Sequence, residues 1–205
     1  MDTFDIKRER RDLYAPRAGE FALIDVPELS FLMVDGHGNP NAADAYREAV
    51  EALYAMSYTA RFAAKKQLDR VHVVGPLEGL WWAENPDVFL TGSKEDWSWT
   101  MMIHQPDWIT QELVDSALIT VAKKKELPAL EKLRFERFAE GLSVQTLHVG
   151  SYDDEAPVIA RMHHEFLPSQ NLVLRGKHHE IYLGDPRKVE AAKLRTVLRQ
   201  PVSPS

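Results

Sequence analysis

Two segments of this 205-residue chain repeat one plan, and the repeat limits what the chain can fold into. The first reads Leu77-Glu78-Gly79-Leu80-Trp81-Trp82, then Glu84-Asn85-Pro86-Asp87, then Trp97 to His104, and stops at Gln105-Pro106. The second reads His179-Glu180-Ile181-Tyr182-Leu183-Gly184, then Asp185-Pro186-Arg187, then Leu194 to Arg199, and stops at Gln200-Pro201. Each is a strand, a proline-bearing turn and a second strand. Each also sets a glutamate among apolar and aromatic residues, where burying a charge is costly. On this reading Glu78 and Glu180 are equivalent positions of a duplicated module.

The residues before each hairpin extend the repeat. Phe21 to Val26 and Ser30 to Val34 read as strands, and Asp35-Gly36-His37-Gly38-Asn39-Pro40 reads as a turn. A helix is expected from about residue 41 or 42 to 66, because Tyr46, Val50, Tyr54, Tyr58 and Phe62 recur every four residues. Ala45, Ala49, Leu53, Met56 and Ala60 add a second stripe, so this helix should be buried on more than one side. Residues 71–82 and 97–103 read as strands. In the latter Trp97, Trp99, Met101 and Ile103 share one face, and Ser98, Thr100 and Met102 the other. Residues 109–125 form an amphipathic helix, and Pro128 opens a short helix expected to run through Phe138. A strand over 142–149, a helix over about 155–166 and two last strands complete the chain.

The order is strand–helix–strand–strand, a helical connector, and strand–helix–strand–strand again. It predicts an α+β fold, a pseudo-two-fold tandem of strand–helix–strand–strand modules with an antiparallel sheet and helices over one face. Residues 1–20 are a polar N-terminal arm, with a solvated basic cluster from Lys7 to Arg11. Residues 21–202 form the domain, with module one at about 28–106, a connector at 107–140 and module two at 141–202. Pairing of the halves about a pseudo-axis would make a groove between the two helices. The two glutamates would face one another there.

Composition closes several routes. There is no cysteine, hence no disulfide, thiolate nucleophile or Cys-based zinc site. The net charge of −6 disfavours a nucleic-acid surface. No apolar run approaches membrane-spanning length, and nothing resembles a signal peptide, so a cytoplasmic protein that meets neither membrane nor nucleic acid is expected. There is no Gly-x-Gly-x-x-Gly, P-loop or Gly-x-Ser-x-Gly, and no cofactor is expected. His148, His163-His164 and His178-His179 lack metal-ligand spacing, and adjacent side chains diverge, so no metal is expected.

The candidate chemistry lies in the hairpins. Alternation puts Glu180 with Tyr182 on one face, and Glu78 with Leu80 and Trp82 on another. A carboxylate beside aromatic rings suits a delocalised cation, through charge neutralisation and cation–π attraction. Two close carboxylates in an apolar pocket also suit acid–base work. The competing reading is a pair of edge-strand glutamates facing solvent. Trp82, Trp97 and Trp99 are candidate pocket walls or core residues, as are Tyr54 and Tyr58 on the helix stripe.

At these residues the chain resembles the GyrI-like small-molecule-binding family, in its stand-alone form and over about residues 20–202. The likeness rests on Leu53-Tyr54 with Tyr58-Thr59, Pro76-Leu77-Glu78-Gly79-Leu80-Trp81-Trp82 and Gln105-Pro106. It continues through His148-Val149-Gly150-Ser151-Tyr152-Asp153 and Glu180-Ile181-Tyr182-Leu183-Gly184-Asp185-Pro186-Arg187 to Thr196. The resemblance implies a pseudo-symmetric domain with a central pocket for bulky, planar, often cationic compounds, and an acidic pocket residue that matches Glu180. It also implies an alternative: a hydrolase that opens the cyclopropane ring of DNA-alkylating natural products, with Glu180 or Glu78 as the catalytic carboxylate. The DNA-binding domain of regulator members is lacking. That favours sequestration, sensing through a partner or detoxification.

Overall fold

The computed structural model describes residues 3–84 and 94–205, so the expected Asn85-Pro86-Asp87 turn lies outside the described residues. In chain order the main elements are α1 (Ile6–Glu9), α2 (Arg11–Tyr14), β1 (Ala22–His37), α3 (Asp44–Leu68), β2 (Leu77–Trp82) and β3 (Ser98–Gln105). They continue with α4 (Gln111–Ala122), β4 (Arg134–Val149), α5 (Ala156–Arg161), a π turn (Met162–Phe166) and α6 (Leu167–Ser169), then β5 (Leu172–Leu174), β6 (His178–Tyr182) and β7 (Arg195–Pro204). The mixture of helices and antiparallel strands is the expected α+β class. Two compact units result: Met1–Glu9 with Leu29–Phe138, and Arg10–Glu28 with Ala139–Ser205.

In the first unit β3 lies between β1 and β2, antiparallel to both. Leu32 and Leu77 both stand opposite Ile103. One face, carrying Trp99, Met101, Ile103 and Gln105, packs on α3. Ser57 of α3 accepts a hydrogen bond from Gln105 Nε2 at 3.1 Å, and the Tyr46 ring meets Trp99 edge-on at 5.4 Å. Small residues allow this approach: Ala49, Ala52, Ala60 and Ala64 are all buried along α3. The opposite face holds a cluster of Phe31, Met33, Leu80 and Met102, with Leu29 and Phe138 against it. Thr110 caps α4 by accepting from the Leu113 amide at 3.4 Å.

In the second unit β7 pairs antiparallel with β4, β6 and β5. Val144, Leu198 and Val202 pack against Met162 and Leu167 of the helical segment. The face carrying these residues is therefore the helix face. The other face carries the row His179, Arg199 and Gln145, read directly from the strand register.

Several sequence expectations change. The helix opened by Pro128 is a 3-10 turn ending at Lys132, and Phe138 belongs to a sixteen-residue strand. Leu130, Leu133 and Phe138 fit either period. Tertiary contacts decide: Arg134 pairs with Asp35 at 2.9 Å, and Phe138 packs edge-on to Phe31. β7 continues through Pro201, which cannot donate but whose carbonyl accepts from the Arg175 amide at 2.9 Å. The three-residue β5 was not foreseen. Within residues 1–20, Lys7 to Glu9 are exposed as expected, but Ile6, Leu13 and Tyr14 are buried.

Candidate functional site

The strand register corrects the central expectation about the two glutamates. Glu78 stands opposite Met102, three residues before Gln105. Glu180 stands opposite Leu198, two residues before Gln200. Aligned on the Gln-Pro stops, Glu180 therefore matches Leu77, and Glu78 matches Ile181. A one-residue slip on a strand exchanges faces. Glu180 lies on its unit's helix face with Leu198, whereas Glu78 lies with Leu80 and Met102 on the face turned away from α3. The two carboxylates are not equivalent positions of the repeat.

Glu180 is built into a polar and aromatic cluster at the edge of the second core. Its side chain is 16% exposed. Oε2 accepts from the Tyr182 hydroxyl at 2.7 Å. Two-residue spacing makes this pair possible, because both side chains rise from one face of β6. The Tyr182 ring packs edge-on to Tyr152 at 5.6 Å. The Tyr152 phenol is pushed up to about 12 by burial, then by Glu155, Glu180 and Asp185, so it stays a neutral donor. Among the described residues no lysine or arginine is paired with Glu180; a titratable neighbour is His178, whose Nε2 lies 3.5 Å from Oε1.

The π turn lies close to this group, since its His163 feels His178. Its His163 is pushed down to about 4 by burial and by the nearby His178 and His164, so it stays neutral near pH 7. π turns occur frequently at functional sites, where one extra residue re-aims side chains. Sequence reading missed Tyr152, His163 and His178 as members of the cluster. Tyr152 was visible in the sequence as part of the Ser151-Tyr152-Asp153 motif, but nothing local marked its meeting with Tyr182.

The other face of β6 carries a second charged group, wholly interior. Glu140 accepts from Arg199 Nη1 at 3.1 Å and lies 3.0 Å from His179 Nδ1. Burial alone would raise its carboxyl, but His179 and Arg199 bring it down to about 2. Arg199 also donates to Gln145 at 3.1 Å and to the Leu13 carbonyl at 2.7 Å. Gln145 donates to the Asp12 carbonyl at 2.6 Å. These hydrogen bonds anchor α2, and Glu140, His179 and Arg199 are buried away from solvent.

In the first unit the expected aromatic residues divide. Trp99 is fully buried. Its indole donates to the Gly38 carbonyl at 3.3 Å. Trp97 is half-buried and meets Trp81 edge-on at 5.7 Å, while Trp82 is half-buried at the end of β2. Tyr54 stacks on Tyr58 at 6.4 Å, and Tyr58 is 48% exposed. Glu78 is fully buried. A cleft of about 810 Å³ in this unit, lined by Gln67, Leu68, Arg70, Trp108, Thr110 and Leu113 among others, includes none of these candidates. Among the described residues no three His, Asp or Glu side chains are arranged to hold a metal, and no helix is long and apolar enough to cross a membrane.

Comparison with known proteins agrees with this architecture. A family model, the GyrI-like small molecule binding domain, matches residues 19–203. An uncharacterised conserved protein from Listeria innocua is 40% identical over 98% of this chain and 100% of its own, with a TM-score of 0.90. A hydrolase from Listeria innocua is 38% identical over 98% of this chain and 100% of its own, with a TM-score of 0.88. The C-terminal domain of EcmrR shares the fold at 13% identity, over 91% of this chain and 98% of its own, with a TM-score of 0.56. No curated protein gives a significant match.

Proposed function

Since the chain belongs to the GyrI-like small-molecule-binding domain family, we propose that it binds bulky, planar, often cationic aromatic compounds and sequesters them. The carrying observation is the state of Glu180. Its carboxylate is only slightly exposed, is held in place by the Tyr182 hydroxyl, and among the described residues is paired with no lysine or arginine. Tyr152 and Tyr182 put aromatic surface next to that charge. A delocalised cation would gain a counter-charge and ring contacts together, and would lose little hydration on leaving water. Ethidium is a suitable probe, read by its own fluorescence and by tryptophan quenching. Glu180→Gln is expected to weaken it about ten- to 150-fold, the range for a charge-assisted contact of about 1.5–3 kcal/mol. An unchanged Kd in that variant removes Glu180 from the site.

A hydrolase is the second reading, favoured by the similarity to the Listeria innocua hydrolase over the full length of both chains. Here Glu180 is the general base, with Glu78 as the other candidate carboxylate. For a strained cyclopropane joined to a conjugated acceptor, a water oxygen bonds to a ring carbon and the ring C–C bond breaks. Its electron pair passes into the acceptor, and the water proton moves to the carboxylate. Mass spectrometry after incubation with such an alkylator should find a product heavier by one water. Recovery of unchanged compound at the buffer-only rate leaves binding as the function.

A further inference from the structure

The ring of His178 is the most unusual group around Glu180. It is 14% exposed, and both its nitrogens are shielded from water without a hydrogen-bond partner. A neutral imidazole left so is costly, since a buried donor and a buried acceptor both go unused. Nε2 nevertheless lies 3.5 Å from Glu180 Oε1, a Coulombic distance without hydrogen-bond geometry. His163 of the π turn does not compete as a cation, because burial keeps it uncharged, and its own Nε2 is also unpartnered. The remaining titratable groups facing the pair are His164 on the π turn, Tyr182 on the same strand, and Tyr152, Glu155 and Asp185 around the Tyr152 ring. Four of these are carboxylates or phenols and bring no positive charge, and among the described residues His178 is the imidazole within ion-pair distance of Glu180.

We infer that His178 is the resident counter-charge of Glu180, and that a cationic ligand is taken up in exchange for the proton on His178. The inference rests on the binding reading above and adds its regulation. Protonated, His178 gains a partner and neutralises the carboxylate. A ligand cation seated at Glu180 would then face a like charge at short range, so the proton leaves as the ligand enters. The site would therefore hold cations well when His178 is neutral and release them on acidification, as histidine charge changes fall in the mildly acidic range.

The test is calorimetric titration of ethidium, which carries a permanent charge, in two buffers of different ionisation heat. At about pH 6 the difference in heat should report release of up to about one proton per dye, falling toward zero as the pH rises to about 8. His178→Asn should abolish the buffer dependence and make the Kd nearly independent of pH while binding persists. Binding with the same heat in both buffers, or an unchanged proton count in His178→Asn, overturns the inference and leaves the binding reading standing. Should ethidium give no heat at any pH, the binding reading falls, and the inference with it.

Discussion

The Tyr182 hydroxyl donates to Glu180 Oε2 at 2.7 Å from a position two residues along the same strand. One strand thus carries both the charge and the group that fixes its direction. Tyr182→Phe keeps the ring against Tyr152 and removes only that donor. Ethidium affinity should fall about tenfold, and stability should fall by about 1 kcal/mol, because a slightly exposed carboxylate loses its donor. Isothermal titration and a melting curve on the same preparation check both statements.

Arg199 is the centre of the buried group beneath β6. Arg199→Met leaves Glu140 buried without its guanidinium and removes the donor to the Leu13 carbonyl. Loss of one partner of a buried pair costs about 3–5 kcal/mol. A urea midpoint close to that of the native protein contradicts this.

Acid should weaken the second unit through Glu140. Its carboxyl sits lower in the folded chain, at about 2, than its ordinary 4.5. The ionised form is therefore favoured by folding, and the contribution is complete above pH 4.5. It is lost as the pH falls from 4.5 toward 2. Glu140→Gln should be less stable at pH 7 and show a shallower acid slope in that window.

The first unit should feel acid earlier. Burial pushes His104 down to about 3 and His72 down to about 4, from an ordinary 6.5. The unfolded chain takes up these protons first, so stability is complete above pH 6.5 and declines as the pH falls below it. His104 lies between the rings of Phe4 and Phe31. His104→Phe should flatten the unfolding midpoint between pH 6.5 and 4, measured by urea titration at fixed temperature.

Gly36 has a packing role. A Cβ there would overlap Cη2 of Trp99, which is fully buried. Gly36→Ala must displace that indole and should cost about 3 kcal/mol. A melting temperature within a degree or two of native contradicts this.

Much of the fold can be read from local pattern. The alternation of Trp99, Met101 and Ile103 against Thr100 and Met102 is the alternation observed in β3. The four-residue spacing of Tyr46 to Phe62 places α3 within two residues at each end. The family likeness over residues 19–203 was legible in the hairpin motifs themselves. Register was not. Glu78 and Glu180 look equivalent in a linear alignment, and only the cross-strand partners Met102 and Leu198 show the slip. The Tyr152–Tyr182 contact joins residues thirty apart, so no periodicity could reveal it. The start of β4 failed for a related reason, since helix and strand periods coincide over a few apolar residues there.

The hydrogen bond from Arg199 to the Leu13 carbonyl spans 186 positions of the chain. During synthesis α2 therefore emerges 186 positions before its anchor exists. A product lacking only its final strand would carry Glu140 without a guanidinium and the backbone of Leu13 without a donor. Copies truncated before β7 should thus be open to proteases around α2, because the strand that holds this short helix is missing.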